Sequence, residues 1–226
     1  MERTLAVIGV LGIIVQIAFI IVEHKEKYEP ALLLKTIASA IFVFIGYRAS
    51  LLCGDKELAT LILIGLGLGA VGDFFLNLRF VLKDIGTIIF LIGILVFLAG
   101  HVMYLIALIK LSHNPIITTI IGLVLTALLI VWIFKRIEAK PAFKIFGIFY
   151  LGAVTLMATF AVANFLFAPE MAFNQLFAFG GVLFLVSDVI LILNTFGKET
   201  KFVLRICNLM LYYVGQLAIA FSLLYK

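Results

Sequence analysis

Residues 61–78 read LILIGLGLGAVGDFFLNL, an apolar run with one charged side chain, Asp73, and one amide, Asn77. A helix needs ~20 mostly apolar residues to cross the hydrocarbon core of a bilayer, and residues 57–78 supply that length. Gly65, Gly67, Gly69 and Gly72 recur through the run and make it bend-prone. Such small residues also let a second helix approach closely, as helix packing in lipid requires. The aspartate is the anomaly. By insertion scales a charge at this depth costs at least ~2.5–3.5 kcal/mol, so a chain rarely keeps one without use. A second aspartate, Asp188, lies in another such run, and both follow a small residue (Gly72-Asp73, Ser187-Asp188).

The rest of the chain has the same character. Of its 226 residues 65% are hydrophobic and 13% charged, against about 25% charged in an ordinary soluble domain. Eight segments qualify as spans: 4–22, 31–51, 57–78, 85–109, 115–134, 143–168, 173–196 and 202–225. The predicted fold is an all-α integral membrane bundle of eight transmembrane helices, forming one domain over residues 1–226. Connections of a few to about ten residues leave no room for a soluble domain, so any chemistry occurs in the membrane or at its faces. Pro30, Pro115, Pro141 and Pro169 fall at predicted boundaries, where a missing N–H costs little. The first apolar stretch, from about Leu5 to Val22 and followed by Glu23, has no small-residue cleavage site and reads as a span rather than a signal peptide. No internal repeat is evident, which weighs against a transporter built from inverted halves.

Lys and Arg set the orientation. The side of the N-terminus carries Arg3, Arg48, Lys56, Lys110 and Lys226. The opposite side carries Lys25, Lys27, Arg79, Lys83, Lys135, Arg136, Lys140, Lys144, Lys198, Lys201 and Arg205. The positive-inside rule then places both termini outside and the Lys135–Lys144 loop in the cytoplasm. The net charge of +5 reads as orientation and contact with anionic lipids, not nucleic-acid binding. Asp73 and Asp188 both project to the cytoplasmic half, differing in depth by ~5 Å at the helical rise per residue. Lys35, Asn77, Asn194 and Tyr212 share that half, and His101 and Gln216 lie nearer the middle or outer half. The polar side chains converge on one cytoplasm-facing cavity.

Each candidate has a structural and a functional reading. Asn77 shares a helical face with Asp73, one turn on. Asp73 is either half of an acid/base pair or a structural carboxylate held by Lys35. Lys35 either points inward, to hold an aspartate or a lipid phosphate, or snorkels to the interface. His101 and Tyr104 share a face, as do Tyr212 and Gln216, and either set binds a substrate or bridges helices. Tyr150 and Asn164 are weaker candidates, with packing the preferred reading. Cys53 and Cys207 have no motif spacing and also read as packing. His24 and His113 sit at opposite ends, so a three-histidine metal centre is not available, and no cofactor is expected.

The segments Gly72-Asp73, Gly100-His101-Val-Met-Tyr104, Ser187-Asp188 and Tyr212-Tyr213-x-x-Gln216 resemble the YhhN-type lysoplasmalogenase family, in order and spacing, over nearly the whole chain. The resemblance implies hydrolysis of the vinyl-ether bond of a lysoplasmalogen, a lysophospholipid, to a fatty aldehyde and glycerophosphocholine or glycerophosphoethanolamine. It implies a location in a cell membrane, here the bacterial inner membrane, and it maps two essential acidic positions onto Asp73 and Asp188. Lys35, Asn77, His101, Tyr104, Asn194, Tyr212 and Gln216 are then the expected substrate-binding set. The chemistry suits two carboxyls. Protonation of the β-carbon gives an oxocarbenium ion, which water traps as a hemiacetal, so the reaction wants one acid and one anion, as in glycoside hydrolysis. The expected division has Asp188 donate the proton and Asp73 remain the anion.

Rival readings differ in product. Intramembrane aspartyl proteases also use two aspartates, but they carry Gly-x-Gly-Asp, and the corresponding first glycine is Ala70 here. A proton-coupled transporter would use the intramembrane Asp, Lys and His as a relay, and a lipid-binding protein would release no product at all.

Overall fold

The computed structural model describes residues 2–226; Met1, the first residue of the expected domain, lies outside them. Its eight long helices are α1 (Glu2–His24), α2 (Tyr28–Ser50), α3 (Lys56–Val81), α4 (Gly86–Leu111), α5 (Pro115–Phe134), α6 (Pro141–Phe167), α7 (Ala172–Phe196) and α8 (Phe202–Ser222). All eight are long and apolar enough to cross a membrane, and each end lies within about three residues of the boundary expected from hydropathy. Among the described residues there is no strand, only an isolated bridge between Ile137 and Gly197.

Local chemistry sets the helix starts. Asp55 caps α3, its carboxylate accepting from the Leu58 N–H at 3.0 Å, as an aspartate at this position commonly does. Pro115 and Pro141 open α5 and α6, where proline's fixed φ suits the first turn. The Lys201 N–H, just before α8, donates to Asn194 Oδ1 at 2.7 Å.

Apolar side chains face outward as well as inward, as lipid demands. Ile116, Ile120, Val124 and Leu128 of α5 are all more than half exposed. That helix is peripheral, with 22% of its apolar window buried, whereas α8 is central, with 67%. Cys53 is buried, but Cys207 is exposed on α8 and is not a packing residue.

A duplication emerges that hydropathy alone does not show. Adding 115 to Lys35, Gly65, Asp73 and Gly100 gives Tyr150, Gly180, Asp188 and Gly215. The same offset carries α2, α3 and α4 onto α6, α7 and α8, with ends matching to within a few residues. The packing repeats as well: α3 pairs most extensively with α4, and α7 with α8. A Cβ on Gly100 would lie 3.2 Å from the Gly65 carbonyl, and one on Gly215 would lie 2.9 Å from that of Gly180. Each half thus has one close helix crossing at a glycine pair. Four spans per half return the chain to its starting side, so these are parallel repeats. The expectation of no repeat is therefore corrected. Most aligned positions differ in identity, and only a few glycines and the aspartates keep the register visible.

Candidate active site

The duplication places one aspartate on the third helix of each half. Each is gripped by the second helix of its own half and the fourth helix of the other. Asp73 Oδ2 accepts from Ser39 Oγ of α2 at 2.5 Å and from the Tyr212 hydroxyl of α8 at 2.8 Å. Lys35 Nζ, also on α2, lies 3.2 Å from the same oxygen. Asp188 Oδ2 accepts from the Tyr150 hydroxyl of α6 at 2.8 Å and lies 3.3 Å from His101 Nε2 of α4. Among the described residues, every hydrogen bond to either carboxylate lands on Oδ2. A carboxylate held by one oxygen keeps its orientation while leaving the other for water or a ligand.

Lys35 does not snorkel. It is 1% exposed, donates to Gln16 Oε1 at 3.4 Å and lies 4.6 Å from the centre of the Tyr212 ring. An aromatic face and a carboxylate partner each offset part of the cost of burying such a cation. Gln16 is itself tied to the Leu209 carbonyl at 3.2 Å, so α1, α2, α3 and α8 meet around one ammonium group.

A chain of edge-to-face aromatic contacts packs beside the two carboxylates. Tyr212 meets Phe184 edge-on at 5.1 Å and Phe97 at 5.7 Å, and Phe184 in turn meets His101 at 4.7 Å. Asp73 and Asp188 line the same cavity, of about 40 Å³, together with Lys35, Asn77, Phe97, Tyr150 and Tyr212. One water needs roughly 10–15 Å³ of such volume, so a few waters fit between the acids but a lipid head group does not.

Two further spaces adjoin it. One is an apolar groove lined by Ile94, Phe143, Phe146, Leu151 and Phe196, which shares Leu76, Phe90, Phe97, Tyr150 and Leu191 with the acidic cavity. The second is a mouth toward the basic end of the bundle, which shares Arg79, Leu191, Arg205 and Asn208 with the acidic cavity. The groove and the mouth also share Leu191 and Thr195, so the three spaces border one another.

The other expected binding residues divide. Asn77 lines the cavity, but its amide donates to the Asp73 main-chain carbonyl at 2.8 Å. Tyr104, Gln216 and Tyr212 form a chain: Tyr104 donates to Gln216 Oε1 at 2.9 Å, and Gln216 Nε2 to the Tyr212 hydroxyl at 3.3 Å. That chain ends on Asp73, so Tyr104 and Gln216 stand behind the acid, as does His101 behind Asp188. Asn194 is not beside the acids; it sits in the basic mouth, where its Oδ1 accepts from the Lys201 N–H just ahead of α8. Ser187 packs α7 on α8 through Asn208, whose amide donates to its Oγ at 2.8 Å.

Sequence reading missed Ser39 and Gln16. Ser39 and Gln16 are isolated polar interruptions of apolar spans; Tyr150, for which packing is the preferred reading, instead donates to Asp188, and the offset of 115 aligns it with Lys35. Asn164 does pack, donating to the Leu108 carbonyl at 3.0 Å. Among the described residues no three His, Cys, Asp or Glu side chains gather as metal ligands would.

Eight spanning helices around a buried two-carboxylate cavity define a multi-pass membrane protein with a polar site at depth. The profile of the YhhN family matches residues 30–223, and the chain belongs to that family. Neither the curated proteins nor the solved structures contain a match.

Proposed function

We propose that the chain is a membrane hydrolase that cleaves the vinyl-ether bond of a lysoplasmalogen. The observation that carries this reading is the unlike provision made for two carboxylates in one cavity. Asp73 has a full counter-charge in Lys35, whereas Asp188 faces a phenol and an imidazole. Matched positions in the two halves thus equip one acid as an anion and the other as a proton carrier. The apolar groove beside them suits an alkenyl chain, and family membership is consistent with a hydrolase.

In the proposed reaction Asp188 gives its proton to the β-carbon of the vinyl ether. The C=C pair forms the new C–H bond, and the ether oxygen stabilises the resulting cation. Asp73 offsets that charge electrostatically. Water from the cavity adds to the cationic carbon and gives up a proton to a carboxylate. The hemiacetal then collapses to aldehyde and alcohol, consuming one water and no net proton. Lys35, Ser39, Tyr212 and Tyr150 hold the acids in place, and Tyr104 and Gln216 support Tyr212. The basic end of the bundle would face the cytoplasm of a bacterial cell, with the termini outside.

Purified protein incubated with a lysoplasmalogen should release fatty aldehyde, and an ester lysolipid should release no fatty acid. Aldehyde release by Asp73→Asn and Asp188→Asn variants at the parental rate would overturn the mechanism. The parallel repeats favour a second reading, because proton-coupled transporters also place polar sites between repeats. Uptake driven by a pH gradient in vesicles, with no aldehyde formed, would select it.

A further inference from the structure

We infer that Arg79 is the anion-binding residue of the basic mouth and that it receives the phosphodiester of a single-chain phospholipid. Arg79 follows Asp73 by six residues on α3 and lines both the acidic cavity and the mouth. Its guanidinium is held between two rings, 4.6 Å from Phe80 and 4.3 Å from Phe90. Its Nε is buried with no hydrogen-bond partner. Among the described residues no carboxylate pairs with it. The nearby acid is already committed: Glu23 gives both oxygens to Arg205, at 2.7 and 3.1 Å.

A guanidinium stacked between rings, with a buried donor unfilled, is set up for a ligand that accepts in two places. Phosphate and carboxylate both do so, and arginine's planar fork suits them better than a lysine point charge. The duplication adds a second donor. Adding 115 to 79 gives Asn194, which lines the same mouth. Its Oδ1 is taken by the Lys201 N–H, so its amide N–H groups are the donors that remain. The matched pair is Arg and Asn, with no acid, and Lys201 and Arg205 stand beside them. Lys35 is spent on Asp73 and is not the phosphate ligand.

A phosphodiester commits the ligand further than a free anion does. The mouth, the acidic cavity and the apolar groove border one another, with Leu191 in the wall of all three, so a molecule bound at Arg79 has the acids and an apolar surface beside its anionic head. Placing the chain in that groove rests on the function proposed above; the anion site itself rests on Arg79.

The test measures binding in a non-ionic sugar detergent. The probes are a saturated-ether lysophosphocholine, which lacks the reacting double bond, the matching alkylglycerol without phosphate, and inorganic phosphate. Arg79→Gln should weaken the phosphate lipid at least ~10-fold, a single lost charge-assisted contact, and leave the alkylglycerol within about twofold, since apolar contacts are untouched. Arg79→Lys should fall between. Equal losses for both lipids, or none, would overturn the assignment, and so would inorganic phosphate saturating the protein at the concentration of the lipid. If Arg79→Gln does not fold, Asn194→Asp puts a negative charge in the same mouth and must weaken the phosphate lipid selectively. The two proposals fail separately. Vinyl-ether cleavage with a KM indifferent to Arg79 sinks the anion site alone. Binding of the saturated lipid that depends on Arg79, with no cleavage of the vinyl ether, sinks only the reaction.

Discussion

Lys35 and Tyr150 occupy matched positions on α2 and α6, and each reaches the aspartate of its own half. The ammonium lies 3.2 Å from Asp73 and the phenol 2.8 Å from Asp188. Duplication alone would give two equivalent acids. The Lys/Tyr difference breaks the equivalence, and so does the next matched pair, His101 and Gln216, which differ by the 115-residue offset. His101 touches Asp188 directly, whereas Gln216 reaches Asp73 only through Tyr212. A proton donor and a fixed anion are what such a broken symmetry can supply.

The two acids should therefore each be needed for turnover. Asp188→Asn removes the proton donor while keeping the shape, and loss of a general acid costs about 10²–10⁴-fold in rate. Asp73→Asn removes the anion and should cost at least ~10²-fold, within the range for a lost electrostatic stabiliser. Aldehyde release on folded variants, checked by thermal melting in detergent, reads both. A variant that melts like the parent and keeps its rate would refute the role given to that residue.

Tyr150 should act through Asp188. Tyr150→Phe deletes only the hydroxyl and leaves the ring in its place, 5.2 Å from His101. The expected result is a fall of about tenfold in kcat, as when one neutral hydrogen bond is lost, with the melting temperature nearly unchanged. Combined with Asp188→Asn it should add almost nothing, because residues acting as a unit are not additive. An additive double variant would show that Tyr150 serves some other step.

Lys35 carries both structure and charge. Truncating one partner of a buried ion pair costs about 3–5 kcal/mol, because the other charge is left without compensation. Lys35→Met should therefore lower the melting temperature markedly. Adding Asp73→Asn to Lys35→Met should restore much of the loss, since no lone charge then remains. If the double variant is as unstable as Lys35→Met, the 3.2 Å contact is not the source of the stability.

Hydropathy made the eight spans and their ends readable, because a bilayer imposes a minimum apolar length on every helix. It also exposed Asp73 and Asp188, since a carboxylate among Leu, Ile and Phe stands out against its surroundings. What it did not supply is partnership. Nothing in α2 alone tells whether Lys35 turns inward or reaches for the interface; that depends on Gln16 from α1 and Tyr212 from α8. Tyr150 resembled a packing aromatic because its hydroxyl matters only once α6 lies against α7. Asn194 follows Asp188 closely enough to suggest a shared pocket, yet the end of α7 carries it to the mouth, where it binds the main chain of Lys201 ahead of α8. The repeat was present in the sequence throughout, but it rests on sparse matches such as Gly65 with Gly180, which become persuasive only when both are seen at helix crossings.

Those crossings yield a further prediction. A Cβ at position 215 would lie 2.9 Å from the Gly180 carbonyl and 3.4 Å from the Phe184 nitrogen. Both are backbone atoms that cannot swing aside, so α7 and α8 would have to separate. Overpacking of this kind costs typically about 1–3 kcal/mol. The shift would also move Tyr212, one turn from position 215, away from Asp73, to which it donates at 2.8 Å. Gly215→Ala should therefore lower the melting temperature and the turnover rate together. Gly67 is the control: a Cβ there has nothing within 4 Å, and alanine is the better helix former by roughly 0.5–1 kcal/mol. Gly67→Ala should leave both quantities unchanged or raise the melting point slightly. If the two substitutions behave alike, the close approach of α7 and α8 is not what holds Tyr212 against the acid.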